Sequence, residues 1–524
     1  HGFFPTPRFS WRLGRTGIMS TKKISRLVPR NQKMFVACLI MLSAIDSVLV
    51  GYDSSLMGSF NVMPSYKSYF TLTTTTKSLN TAVSYVGGAA ISFISGPWTD
   101  WRGRREAIFW SAVITLVGGV IQGASQNIAM FIAGRLIVGF GMGLAQTSTP
   151  TLLAETVPVQ YRGFAMGLYY ACWGVGTLLA SGVCYGTQTL STTWSWRIPS
   201  LLQAAPSVWC FVILLFIPES PRWLIAKGRK EEALQILAIA NGSGEDTEDT
   251  VVQLWAKEIE DTIQFERNRE ASAWKSVLHP SNRKRMLIVA TFPLFVMLPG
   301  TNIVTFYFGD MLSSAGIEDA NTQLQINVIL TSFTLVVALA GSWFADKTGR
   351  KKLCAGSLTG GVISLYILAG LTAKYGTSGQ KGGIYGTIAM IFIYNATYAW
   401  GITPLTVLYP PEVLSFDIRA LGMGIYTLVT KLCGLFVAMV IPFGMEAISW
   451  KVYIINASVD ILFVIFVVLV WVETRGLALE EVDKVFDGVK HSDVPDLETV
   501  KAGKYGDVEV TESASKAHRR ETVI

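Results

Sequence analysis

The chain has 524 residues with a formal net charge of +7; 50% of its residues are hydrophobic and only 15% are charged, where soluble globular chains carry roughly 25% charged residues. So little charge cannot cover the surfaces of the roughly three or four soluble domains this length would form, and 15 Trp, 27 Phe and 48 Gly in an apolar background exclude a disordered chain. With a mean hydropathy of +0.40, the composition is that of a polytopic helical membrane protein, in which Trp belts the interfaces and Gly lets helices approach closely.

Residues 1–33 are polar, aromatic and basic, without the apolar run of a signal peptide; a natural start at Met19 would leave a short basic tail. Apolar segments of about 20 residues, the length that crosses a bilayer, then predict twelve helices in an all-α membrane fold. The first six run from Met34 to Phe60, Leu79 to Trp98, Ala107 to Ala124, Ile128 to Ala154, Phe164 to Gly186 and Ile198 to Ile217. The second six run from Met286 to Ala315, Gln323 to Ala345, Leu353 to Ala373, Ile384 to Tyr409, Gly422 to Phe443 and Val452 to Val472. Between the two sets, 218–285 reads as a polar linker with charged helical patterns over Lys230 to Ala240 and Val251 to Arg269. The predicted organisation is therefore a tail (1–33), a six-helix half (34–217), a linker (218–285), a second half (286–472) and a partly disordered tail (473–524).

Basic clusters at Lys22, Lys23, Arg26, Arg30 and Lys33, at Arg102, Arg104 and Arg105, and at Lys347, Arg350, Lys351 and Lys352 alternate with apolar spans. This is the positive-inside pattern; it places both termini in the cytosol and makes the bilayer, not a nucleic acid, the partner. The six cysteines fall within or at the edge of apolar spans without framework spacing and read as small core residues, so neither a disulfide nor a metal site is expected.

Three motif pairs repeat in order. Asp100, Arg104 and Arg105 after the second span match Asp346, Arg350 and Lys351 after the eighth, 246 residues on. Glu155 precedes Arg162 by seven residues after the fourth span, as Glu412 precedes Arg419 after the tenth, 257 residues on; Glu219 and Glu473, 254 residues apart, follow the sixth and twelfth spans. Three pairs at nearly constant offset imply two homologous six-helix halves with a path for a solute between them. The repeated carboxylates and guanidinium groups read either as topogenic charge or as a latch joining helix ends, with Arg222 within reach.

With these motifs the chain resembles the sugar porter family of the major facilitator superfamily. The resemblance is carried by PESPRWL (Pro218 to Leu224), by the loop ending Gly103, Arg104, Arg105, by Arg135 with Gly139, Gly141 and Gly143, and by ETRG (Glu473 to Gly476). The runs Trp194 to Gln203 and Thr403 to Gly422 resemble the fungal lactose-permease-like subgroup, which would make the host a fungus. The family implies alternating access, a latch that opens as the halves rock, and proton coupling through a span-one carboxylate and a span-four arginine, here Asp53 and Arg135. A permanent salt bridge is the plainer reading of that pair. Asp46 lies seven residues before Asp53, hence on the same helical face, and joins the proton-coupling candidates. Lys431, inside span eleven, needs an acid such as Asp46, Asp310 or Asp460, or an anionic group on the solute.

In the family's central site this chain departs from the pattern: Val296 and Met297 replace two glutamines, Tyr170 a third, and Leu405 a tryptophan. Tyr170, Trp173, Asn302, Phe306, Tyr307, Asn395, Tyr398, Trp400, Thr403 and Lys431 remain as substrate-binding candidates, and breaks are expected near Pro299 and Gly300 and near Gly401 and Pro404. The expectation is a monomeric, multi-pass plasma-membrane carrier of a sugar or sugar-like solute working by proton symport, with the lost amides arguing against a simple hexose. An organic-acid or specialised-metabolite carrier and a nutrient sensor are the rivals. No Gly-rich phosphate loop, metal cluster or Ser/His/Asp set suggests an enzyme or a cofactor.

Overall fold

The computed structural model describes residues 27–269, 280–376, 380–414 and 418–475 apart from 243 and 245, together with Ser25 and Phe486. Twelve helical spans occupy the predicted positions. Spans one to five are Gln32–Phe60, Thr74–Arg102, Arg104–Gly123, Ile128–Thr156 and Val159–Thr187; span six comes in two pieces, Trp194–Leu202 and Ala205–Leu214. Span seven is also broken, into Pro280–Met297 and Thr301–Ser314, and spans eight to twelve are Ala320–Thr348, Arg350–Tyr375, Lys381–Val413, Arg419–Ile448 and Lys451–Val470. Ten of these spans are long and apolar enough to cross a membrane by composition alone. Spans two and ten fall short because they carry Ser, Thr, Asn and Tyr, many turned toward the protein interior: Ser78, Asn80 and Thr81 in the second and Tyr394 and Asn395 in the tenth are buried. A bilayer offers no hydrogen-bond partner, so the helix itself must satisfy the backbone.

The helices extend past the apolar stretches because polar caps take up the free N–H groups of their first turns. Asn31 Oδ1 accepts from Lys33 N at 2.9 Å, Asn127 Oδ1 from Met130 N at 2.8 Å, and Thr73 and Thr76 form a reciprocal capping box at the start of span two. Span three packs on four, one on five, and two on four; in the second half nine packs on ten, seven on eleven, and eight on ten. The halves meet where span two lies on span eleven, span five on span eight, and span one on the second piece of span seven. The repeated motifs of the sequence thus become one packing plan used twice. Backbone approach is close: a Cβ on Gly139 would stand 2.3 Å from Ser84 O.

Short helices Pro221–Ala226, Lys230–Asn241 and Thr250–Arg269 follow span six. Ala233, Ile236 and Ile239 of the second bury against Phe35, Leu39 and Leu224, and Gln32 Nε2 donates to Ala240 O at 2.7 Å, so the linker seats on the base of the first half. We call the end of the bundle that carries this linker the linker side and the opposite end the far side.

Gly103 and Gly349 sit before spans three and nine with φ of +108° and +93°, and an added Cβ would come within 2.3 Å of Glu219 Oε2 and 2.7 Å of Glu473 Oε2. The two motif glycines are therefore demanded by backbone and by packing alike. Gly103→Ala and Gly349→Ala are each expected to lower stability by about 1–3 kcal/mol, seen as a lower unfolding temperature of the purified protein in detergent. Gly182→Ala, where no atom lies within 4 Å of the new Cβ, should leave the transition in place or raise it.

Candidate functional site

On the linker side each half carries the same carboxylate arrangement. Glu219 accepts from the backbone N–H of Arg104 (2.8 Å), Arg105 (3.1 Å) and Ser220 (2.9 Å), capping the first turn of span three. Glu473 does the same at span nine, from Arg350 N at 2.7 Å and Lys351 N at 3.2 Å. A carboxylate there also faces the positive end of the helix dipole. Burial pushes the Glu219 carboxyl above its ordinary range, while these N–H donors and the Arg104 guanidinium pull it back down. The Arg104 guanidinium clasps Glu155 (3.0 and 3.2 Å) as Arg350 clasps Glu412 (2.9 and 3.1 Å). Ser220 donates to Glu155 at 2.5 Å and Thr474 to Glu412 at 2.6 Å. These two hydroxyls, each next to its capping Glu, complete the motif in both halves and were legible as a Glu-Ser and Glu-Thr repeat that sequence reasoning passed over.

Asp100, 73% exposed, pairs with Arg104 at 3.1 Å, and the Arg105 guanidinium donates to Leu214 O at 2.8 and 3.1 Å. Arg222 lies in the first turn of Pro221–Ala226. The side chains of Arg162, Asp346 and Arg419 lie outside the described ones. The resemblance implies a latch that opens as the halves rock; the described bonds of each cluster stay inside one half, tying spans two, three, four and six together in the first and nine, ten and twelve in the second. Their geometry is that of a clamp at the base of each half.

Deep in the first half, Arg135 (2% exposed) pairs with Asp53 (4%). Gln203, at the break of span six, also donates to Asp53 Oδ1. Arg135 Nε donates to Asn80 O at 3.2 Å and its other terminal nitrogen to Ser84 Oγ at 3.3 Å. Spans one, two, four and six thereby converge on one buried ion pair. Gln203, Asn80 and Ser84 were missed; the available signal was a polar side chain inside a span, isolated for Gln203 and one of several in span two for Asn80 and Ser84. Asp46 is buried, accepts from Tyr169 OH at a long 3.5 Å, and does not join the Arg135 cluster.

Around the break of span seven, three freed carbonyls are taken up by side chains. Met297 O accepts from Asn302 Nδ2 at 2.6 Å, Val296 O from Tyr398 OH at 2.8 Å, and Leu298 O from Asn456 Nδ2 at 2.8 Å. Asn302 and Tyr398, expected to bind substrate, here direct their donors to the hinge, the way an interrupted membrane helix satisfies its backbone. Tyr307, itself at a non-helical φ of −126°, donates to Ala438 O at 2.6 Å. The predicted break near Gly401 and Pro404 is absent: Lys381–Val413 is one continuous helix through Pro404, Pro410 and Pro411. Gly401 serves packing instead, against Ser357 and Leu353 of span nine.

Of the other candidates, Phe306 is buried edge-on to Tyr85 at 6.2 Å, Asn395 accepts from Thr301 Oγ1 at 3.4 Å, and Trp400 packs on Phe344 at 5.0 Å. Thr403 is half-buried and its carbonyl takes the Thr406 hydroxyl, while Trp173 is 36% exposed and its backbone packs on Gly51. The Tyr170 side chain lies outside the described ones. Lys431 pairs with none of Asp46, Asp310 or Asp460: its Nζ donates to Gln146 Oε1 at 2.7 Å, and Asp310 is held by Lys77.

The far side is sealed by bonds between the halves. Lys77 pairs with Asp310 and Thr74 donates to Glu446, while Asn61 donates to Phe306 O at 3.1 Å. Gln188 donates to Asn321 at 2.8 Å, Gln325 to Tyr185 OH at 2.9 Å, and Asn327 to Ser59 and Ser181 at 3.2 Å each.

The family model described as "Sugar (and other) transporter" matches residues 39–486. The glucose transporter GlcP of Staphylococcus epidermidis is 29% identical over 85% of this chain and 96% of its own, and the MFS-type transporter criB of Aspergillus cristatus 27% over 85% and 92%. Among solved structures, the inward-open xylose transporter XylE of E. coli superposes with a TM-score of 0.71 at 21% identity, covering 86% of this chain and 99% of its own. XylE bound to 6-bromo-6-deoxy-D-glucose gives 0.70, again at 21% identity, over 87% and 100%. The match spans both halves and the linker, so the chain belongs to the sugar (and other) transporter family and adopts the major facilitator fold.

Proposed function

We propose that the chain is a secondary active carrier of a sugar or sugar-like solute, working by alternating access with proton symport. It acts as a monomer in the plasma membrane, with 34–217 and 286–472 as the moving halves, 218–285 as the linker, and both tails in the cytosol. The observation that carries this reading is the Asp53–Arg135 pair. A carboxylate and a guanidinium buried together in the membrane interior hold each other in the charged state; a proton taken up by Asp53 frees Arg135, and movement of spans one and four then follows protonation. GlcP is described as a glucose transporter and XylE as a proton:xylose symporter, which supports this cargo class and this coupling.

Alternating access needs two rigid bodies and a weak seam. The base clamps make each half a body, and the far-side bonds, mostly between neutral groups, are the seam. With the far side closed and the clamps internal to each half, the arrangement is the one that opens toward the cytosol.

In vesicles carrying the purified chain, uptake of radiolabelled glucose or xylose should rise with an inward pH gradient. Asp53→Asn is expected to abolish accumulation against a gradient while leaving exchange at equal concentrations measurable; accumulation by Asp53→Asn at the rate of the parent chain would refute the coupling role. A chain that binds sugar without moving it would instead be a sensor.

Lys77→Ala or Asp310→Ala removes one half-exposed ion pair of the seam, worth about 0.2–1 kcal/mol. The population open to the far side should rise by up to about fivefold, read as faster labelling of a cysteine placed at Thr305 by a membrane-impermeant thiol reagent.

A further inference from the structure

Lys431 lies in the middle of span eleven, on the face that packs on span two of the other half. Its stem runs over Gly88, 3.5 Å from where a Cβ would stand, and its ammonium crosses the interface to Gln146 of span four. The contact lies near the middle of span eleven, away from the helix ends that carry the Lys77–Asp310, Gln188–Asn321 and Gln325–Tyr185 contacts between the halves.

An ammonium has three N–H donors, and among the described residues Lys431 uses one, on a neutral amide oxygen. The acids of the spans lie away from it: Asp53 is paired with Arg135 and Gln203, Asp310 with Lys77, Asp46 is beside Tyr169, and Asp460 is buried in the second half beside Pro299, Tyr394 and Tyr398. The Gln146 amide N–H2 also lacks a described partner, and both side chains are half-buried, so they border open space. By contrast Asn302, Tyr307 and Tyr398 give their donors to backbone carbonyls. A cation at this depth is costly without an anion, and among the described residues Lys431 and Gln146 both carry open donors at this interface.

We infer that Lys431 and Gln146 form a subsite for a carboxylate on the transported solute, which makes the preferred cargo a hydroxylated carboxylic acid of the sugar-acid class. One carboxylate oxygen accepts from the ammonium, and the Gln146 amide, held by its bond to Lys431, offers N–H to the other. The hydroxyl-bearing remainder of the solute occupies the path that the sugar-transport reading requires, and the inference rests on that reading.

The test compares D-glucose with D-glucuronate, which differ by one carboxylate, in vesicles holding the full chain at pH 7. The expected result is uptake of glucuronate with a KM below that of glucose. In Lys431→Gln the ratio of glucuronate to glucose kcat/KM should fall by about tenfold or more, and Lys431→Arg should keep most of it. Gln146→Glu, which gives the ammonium an internal counter-ion, should lower the ratio in the same direction without emptying the interface, and remains informative should Lys431→Gln fail to fold. Glucose carried without glucuronate, or a ratio unchanged in both variants, overturns the subsite and leaves the sugar carrier standing; equal loss of both substrates assigns Lys431 to Asp53 or to packing and overturns it too. Uptake of neither probe overturns the carrier reading and the subsite together.

Discussion

The bilayer supplies no hydrogen-bond partner, and the details of this fold follow from that constraint. Where the helical ladder stops, a side chain steps in: Asn302, Tyr398 and Asn456 cover the carbonyls of the span-seven break. Where a charge is buried, several spans turn polar groups toward it, as Asp53, Asn80, Ser84 and Gln203 do around Arg135. Where a helix begins on the linker side, Glu219 or Glu473 takes its first N–H groups, and the adjoining glycine adopts a φ that leaves the carboxylate room. None of these groups is free to move without another taking its place.

That dependence separates the rigid parts of the molecule from the mobile ones. The base clamps combine charge-assisted bonds, helix dipoles and burial within one half, so rearranging either would leave several groups unsatisfied at once. The far-side bonds include single ones between exposed neutral side chains, Gln188 to Asn321 and Gln325 to Tyr185, which water replaces at little cost when they part. A carrier that alternates needs this difference: stiffness inside each half and exchangeable contacts between them.

The twofold plan was legible because both halves solve the same problem with the same residues, and repeated acids and arginines survive in a single chain as fixed offsets. Scarce charge in the spans implied that each ionisable residue there needs a partner, and the family resemblance singled out Asp53 and Arg135 among them. What periodicity could not reveal was the target of a neutral polar side chain. Asn302 and Tyr398 look alike whether they hold a solute or a carbonyl, and Gln203 and Gln146 look like ordinary polar residues until the fold sets them beside Asp53 and Lys431. Proline was read too strongly: Pro299 with Gly300 breaks its helix, while Pro404, Pro410 and Pro411 sit in a continuous one. The carbonyls that a proline frees can be satisfied by neighbouring helices, so the residue alone does not decide.

The scarcity of charge also orders what remains. Lys77 and Asp310 meet across the halves near water, Asp53 and Arg135 meet inside one half, and each pair cancels its own burial. Asp46 and Asp460 are buried without a described cationic partner, Asp46 beside Tyr169 and Asp460 beside Tyr394 and Tyr398. Lys431 instead spans the interface, its ammonium on the amide oxygen of Gln146 in the other half. On the reading proposed above, open donors at this interface serve a solute rather than a seal. The position of that one ammonium, more than its presence, therefore distinguishes a feature of the cargo from a feature of the fold.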